Sequence, residues 1–181
     1  MGVGTANLSI FLLKEGYQIL GVDISKDMLN IAKSKTKNYN VDYVVQDIKN
    51  LNIKPSKIMY SHNFIDFSNE GVEIWEDNFK DALKILKSIS DNLQEDGFLF
   101  IHKKESKKQG ENYKLYHKSI LKNNKIVNIY FYKDSEVIMR KKYEKVYIPY
   151  LKFKEIFENL GFEIFDESES WIVLKKTISP N

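Results

Sequence analysis

The sequence contains no cysteine. Disulfides, thiolate nucleophiles and cysteine-based metal sites are therefore excluded. It has three histidines, so a dedicated imidazole metal centre is not expected either. Arg140 is the only arginine. Bidentate recognition of guanine or of clustered phosphates usually rests on arginine, so the formal net charge of +3 does not by itself point to nucleic acid. No apolar run approaches the roughly 18 residues of a spanning helix, and the start does not read as an export leader. The expectation is a cytoplasmic protein that does not engage a membrane. There is no internal repeat and no linker long enough to divide the chain.

With 181 residues, 43% of them hydrophobic and 29% charged, the chain reads as one ordinary globular domain. Residues 7–14 carry Leu8, Phe11 and Leu12 at helical spacing, with Thr5 or Asn7 as possible caps and Gly16 as the stop. Residues 17–22 form a mostly apolar strand ending at Asp23, of the kind buried on both faces in a parallel sheet. Ser25 caps a second helix through Lys35, with Met28, Leu29, Ile31 and Ala32 expected inward. Strands follow at residues 41–45 and 58–60, the second after Pro55. A long helix is expected over residues 75–93, with Phe79, Ala82, Leu83, Leu86, Ile89 and Leu93 at core spacing. Glu95-Asp96-Gly97 makes a turn into a continuous apolar strand over 98–101. This alternation predicts an α/β, Rossmann-like, doubly wound and mostly parallel sheet.

Beyond His102 the composition changes. Residues 103–125 hold eight lysines and two glutamates, with a short helix expected over 113–121. Residues 126–132 and 136–147 read as antiparallel strands. A helix over 151–160, capped by Gly161, and strands at 162–165 and 171–174 complete the chain. The expected organisation is a cofactor-binding half over 1–101, a small β insertion on the substrate side over 102–150, and a C-terminal helix with strands over 151–181. The last strand is expected to be antiparallel.

The chemistry centres on Gly2-Val3-Gly4-Thr5-Ala6-Asn7. Glycine lets bare backbone approach a ligand and take φ > 0, and the next helix start offers free N–H groups. Asp23 follows Gly4 by 19 residues, at the end of the next strand. A carboxylate so placed accepts hydrogen bonds from a ribose diol. Nicotinamide-dependent dehydrogenases share this signal, although the glycine pattern and the stretch after Val45 suit them less well.

Together, several ordered motifs resemble the class I S-adenosylmethionine-dependent methyltransferases of the small-molecule type. They are the glycine motif with Ala6 where a third glycine is usual, the stretch from Gly21 to Leu29, Val45-Gln46-Asp47-Ile48, the turn from Asn92 to Leu99, and Asn159-Leu160-Gly161-Phe162. The resemblance implies S-adenosyl-L-methionine as cofactor and assigns roles. Gly2 and Gly4 approach its methionine part, and Asp23 holds the ribose. Ile24 and Met28 pack the adenine. Asp47 accepts from the adenine amino group, Ile48 lies on the ring, and Ser61 sits near the reactive methyl. In-line transfer from a sulfonium draws much of its rate from proximity in a dry pocket. Should the acceptor need a base, His62 is the first candidate and Asp66 the second. Residues 143–150 are expected to cover the site. The acceptor implied is a small molecule; an RNA acceptor using residues 103–125, and an inactive or merely cofactor-binding remnant, are the rival readings. The family's first strand runs straight into the glycine motif, whereas here only Met1 precedes it. The corresponding expectation is an N-terminally incomplete chain, with two neighbouring strands left without their central partner.

Overall fold

The computed structural model describes residues 1–61, 65–68, 71–74, 76, 78–102, 113–121, 124–133, 136–168 and 171–177. The chain enters through the glycine-rich turn into helix α1 (Ser9–Lys14). Strand β1 (Ile19–Asp23), helix α2 (Lys26–Lys35) and strand β2 (Val41–Val45) follow, with β1 and β2 parallel. A single 3-10 turn, Ile48–Asn50, leads to β3 (Ser56–Ser61). Strands β4 (Ile65–Ser68) and β5 (Gly71–Ile74) pair antiparallel ahead of helix α3 (Phe79–Asn92). Next come β6 (Leu93–His102), β7 (Tyr113–Leu121), β8 (Asn124–Lys133) and β9 (Glu136–Pro149). Helix α4 (Tyr150–Asn159), β10 (Phe162–Glu167) and β11 (Trp171–Lys176) close the chain.

The strands form three sheets: β1-β2, β10-β11-β6-β3 and β4-β5-β9-β8-β7. In the second, β3 and β6 are parallel while β10, β11 and β6 alternate in direction. The antiparallel last strand and the β insertion agree with the sequence pattern. Among the described residues no strand pairs β1 with β3. The segment Met1–Val3 ties to both instead: Val3 N donates to Val22 O at 3.1 Å, and the Met1 amine donates to Tyr60 O at 2.8 Å.

Core packing explains which face of the four-stranded sheet points inward. Met59, Leu99, Ile101, Ile172 and Leu174 alternate along their strands and are buried, as a period of two requires. They meet Ala82, Ile85, Leu86 and Ile89 of α3 and Phe153 and Phe157 of α4 in one cluster, which also takes in Val72, Ile74, Val146 and Ile148 from β5 and β9. Strands β5 and β9 thus share one core with β3, β6, α3 and α4.

Some sequence expectations are corrected. Residues 113–121 are a strand, not a helix. Tyr113, Leu115 and His117 alternate with Lys114, Tyr116 and Lys118, and the segment pairs along its length with β8, so non-local pairing overrides a weak helical pattern. The helix expected from residue 75 starts at Phe79, where Asn78 caps it by accepting from Asp81 N at 2.9 Å. The β4–β5 hairpin before it has no counterpart in the sequence pattern. Residues 95–97 lie within β6, with Asp96 at φ 54. Ser25 does cap α2, but only Leu29 and Ala32 are buried there, while Met28 and Ile31 are nearly half exposed. Neither Thr5 nor Asn7 caps α1; the capping position is Leu8, without a side-chain bond.

Candidate functional site

Strands β1 and β2 are parallel, and the loops that follow Asp23 and Val45 lie at their carboxyl ends, where ligands bind in open α/β sheets. The glycine turn, which precedes α1, lies against the end of β1. Gly2 and Gly4 sit at φ 63 and φ 54 and Ala6 at φ 61. A left-handed alanine is uncommon, and here it is fixed by its surroundings: Ala6 is fully buried, its N–H donates to Val3 O, and its carbonyl accepts from Ile10 N to start α1. A Cβ on Gly4 would meet nothing within 4 Å. The turn therefore leaves open space above its own backbone.

Asp23 stands at the end of β1, directly against that turn. Its Oδ2 accepts from Gly4 N at 2.8 Å and its Oδ1 from Ser25 N at 2.9 Å. One carboxylate so clamps the glycine turn to the start of α2. Each oxygen retains a second lone pair, so a diol can still approach it. Beneath it, Gly21 is closely packed: a Cβ there would come within 2.6 Å of the Tyr43 ring and 3.2 Å of Val3 Cγ1. That ring is held by a bond of 2.9 Å between Tyr43 OH and Thr36 Oγ1. Ile24 and Met28, beside Asp23, are 68% and 45% exposed. They present exposed apolar surface beside the turn.

The loop after β2 carries the second carboxylate. Asp47 Oδ1 accepts from Lys49 N at 2.9 Å and caps the 3-10 turn that contains Ile48. Asp47 Oδ2 lies 3.7 Å from Lys49 Nζ, which reaches Glu76 Oε1 at 3.3 Å and Oε2 at 3.4 Å. Partial burial works against the Lys49 charge, but the hydrogen bond and charge of Glu76, with Asp47 and Asp81 further off, outweigh it and raise its pKa. The segment is also stitched to α3, since Leu51 N donates to Ser88 Oγ and Ile53 N to Asn92 Oδ1.

The third element is the end of β3. Ser61 is completely buried, and its Oγ has no hydrogen-bond partner among the described residues. A buried hydroxyl without a partner carries an uncompensated desolvation cost. It marks a position where a polar ligand group fits. On the opposite face of the same edge, Tyr60 and His102 pack on Trp171 with ring centroids 5.1 Å and 5.0 Å apart. Burial pushes the Tyr60 hydroxyl up to about 12, so it is a donor rather than a base at neutral pH.

The structure thus brings Gly2, Gly4, Asp23, Ile24 and Met28 together around one turn and sets Asp47 and Ile48 on the neighbouring loop. Gln46 N donates to Asp23 O at 3.0 Å, linking the two loops directly. Asp66 lies in β4, in register with Glu73, and its side chain is outside the described residues, as is His62 entirely. Of the expected cover, residues 146–149 pair with β5, and Val146, Tyr147 and Ile148 are buried. Lys49 and Glu76 are not signalled by the sequence: the Asp47-x-Lys49 spacing is visible, but nothing local announces a partner 27 residues further on. Among the described residues no group of three metal-ligating side chains converges, and no helix is long and apolar enough to cross a membrane.

An adenosine with an amino-acid tail suits this donor set on two observations. Open space lies over Gly4, and the Ser61 hydroxyl lacks a partner among the described residues. Comparison with known proteins agrees. The family model of a methyltransferase domain matches residues 1–97. No curated protein matches the sequence. The fold is similar to that of an S-adenosylmethionine-dependent methyltransferase from Clostridium acetobutylicum, with 17% identity, a TM-score of 0.69, and 98% of this chain and 82% of that chain covered. A Pyrococcus horikoshii protein gives 15% identity and a TM-score of 0.72, covering 98% of this chain and 80% of that chain. A sugar N-methyltransferase from Streptoalloteichus gives 11% identity and a TM-score of 0.63, covering 98% of this chain and 78% of that chain. At such identities these structures speak to the fold alone.

Proposed function

The chain belongs to the methyltransferase domain family, as a class I S-adenosylmethionine-dependent enzyme, and on that premise we propose that it methylates a small molecule. S-adenosylmethionine supplies a methyl group already activated on a sulfonium, which leaves S-adenosylhomocysteine once the acceptor atom has taken it. The protein's work is to bind, orient and exclude water.

In this reading Gly2 and Gly4 give the methionine part close access to backbone, and Asp23 accepts from the ribose hydroxyls. Ile24 and Met28 bury their exposed surface against the adenine, with Ile48 on its other side. Asp47 accepts from the adenine amino group, and the Ser61 hydroxyl, without a partner among the described residues, gains one. His62, then Asp66, are the candidates to take a proton from the acceptor. The observation that carries the reading is Asp23 bonded to Gly4 N at 2.8 Å beneath open space. The small-molecule acceptor draws support from the sugar N-methyltransferase of similar fold and from the single arginine in the chain.

The test is to incubate the protein with S-adenosylmethionine carrying a labelled methyl group, a low-molecular-mass metabolite extract and total RNA. Label recovered in the low-mass fraction and unaffected by ribonuclease is the expected result. Label found only in RNA would transfer the reading to an RNA acceptor through the lysine-rich stretch 103–125. Cofactor binding with no transfer to either fraction would favour the cofactor-binding remnant.

A further inference from the structure

We infer that Glu76 acts as a positioning residue for adenine recognition, by holding the Lys49 ammonium off Asp47. This inference rests on the assignment of Asp47 to the adenine amino group above. Three facts carry it. Asp47 Oδ1 accepts from Lys49 N at 2.9 Å, which fixes the plane of the carboxylate and leaves Oδ2 as the oxygen without a backbone donor. The Lys49 Nζ sits 3.7 Å from that Oδ2, outside hydrogen-bond range, and at 3.3 and 3.4 Å from the two oxygens of Glu76. Glu76 is the less exposed partner, with 17% of its side chain accessible against 26% for Lys49 and 34% for Asp47, and its backbone N–H is tied to Ile74 O at 2.8 Å.

The chemistry follows from competition for one oxygen. An amine on a purine is a neutral donor; a carboxylate oxygen bonded to an ammonium keeps a second lone pair, but its charge is then partly neutralised and the ammonium stands beside the amine, donor against donor. A lysine two residues from Asp47 is such a donor. With Glu76 in place the ammonium is drawn away and Oδ2 accepts from adenine. Without that charge Lys49 turns onto Asp47 Oδ2, and the ammonium faces the purine 6-position. A 6-amino group is then disfavoured, while a 6-oxo group finds a donor.

The experiment compares binding of S-adenosylhomocysteine with S-inosylhomocysteine, which carries oxygen in place of the amine, by calorimetry. Wild type is expected to prefer the amine by about tenfold or more, the range of a hydrogen bond to a charged acceptor. In Glu76→Gln, and in Glu76→Ala as an independent variant, the preference should shrink toward unity or reverse. Adding Lys49→Met to Glu76→Gln should restore it, because no ammonium remains to compete. A merely structural role for Glu76 would weaken both ligands alike and would not be rescued by removing its partner. Retention of the full preference in folded Glu76→Gln and Glu76→Ala, confirmed by urea unfolding, overturns the inference while the methyltransferase reading stands. A wild type that binds neither nucleoside overturns both.

Discussion

Replacing Asp23 by asparagine keeps the shape of the side chain and removes its charge. In the folded protein both carboxylate oxygens accept backbone N–H groups, from Gly4 at 2.8 Å and Ser25 at 2.9 Å. An asparagine offers one carbonyl oxygen, so one of these donors must face an NH2 group. Hydrogen bonds to a charged acceptor contribute about 1.5–3 kcal/mol each, and a donor left facing a donor loses that contribution. Asp23 is only half buried, so water recovers part of the loss. The net cost to stability is expected to be about 1–2 kcal/mol. The Met1 amine adds a second effect, because the Asp23 charge favours its protonated form. Urea unfolding should therefore be measured near pH 9, where that amine is neutral in both states. The same variant should also weaken S-adenosylhomocysteine binding by tenfold or more, through loss of the ribose acceptor. A stability change below about 0.3 kcal/mol would refute the claim that this carboxylate pins the glycine turn, since even one neutral hydrogen bond contributes more.

Other perturbations report on the surroundings. Gly21→Ala drives a methyl to 2.6 Å from the Tyr43 ring, and overpacking of this kind costs about 1–3 kcal/mol; Tyr43→Phe, which frees the ring from Thr36, should reduce the penalty in the double variant measured by urea unfolding. Ser61→Ala removes a buried hydroxyl without a partner among the described residues, so the ligand-free protein should be unchanged or more stable by up to about 1 kcal/mol, while calorimetry shows weaker cofactor binding. Burial lowers the Met1 amine from 8.0 to about 6, against the opposing pull of Asp23. The folded state thus binds fewer protons than the unfolded state between these values, and stability should rise with pH across this window, by roughly 3 kcal/mol in all. Urea midpoints taken from about pH 5.5 to 8.5 should show this slope, and acetylating the amine should abolish its contribution.

Much of the fold over residues 1–101 was legible because its signals are local. Ser25 caps α2, Asp23 ends a strand 19 residues after Gly4, and α3 keeps its 3–4 spacing. What escaped depends on distant partners. Strand β7 contains residues acceptable to a helix, and only its register with β8 decides the matter. The β4–β5 hairpin is four residues on each side and owes its place to β9. Met28 and Ile31 fit the helical period of α2, yet that helix buries a narrower stripe than the spacing suggests. At the site, the sequence pointed to Asp23 as a ligand group but not to its bond with Gly4 N, and to Asp47 but not to the Lys49–Glu76 pair beside it. Backbone donors and a salt bridge between distant residues leave no periodic trace in a sequence.

The central claim is that the glycine turn, Asp23 and Asp47 form one site for S-adenosylmethionine. Calorimetric titration of the folded protein with S-adenosylhomocysteine, repeated on Asp23→Asn, tests it most directly. The account predicts saturable binding at one site per chain in the wild type and a loss of at least tenfold in the variant. Absence of binding by the folded wild type, or equal binding by both proteins, would contradict it.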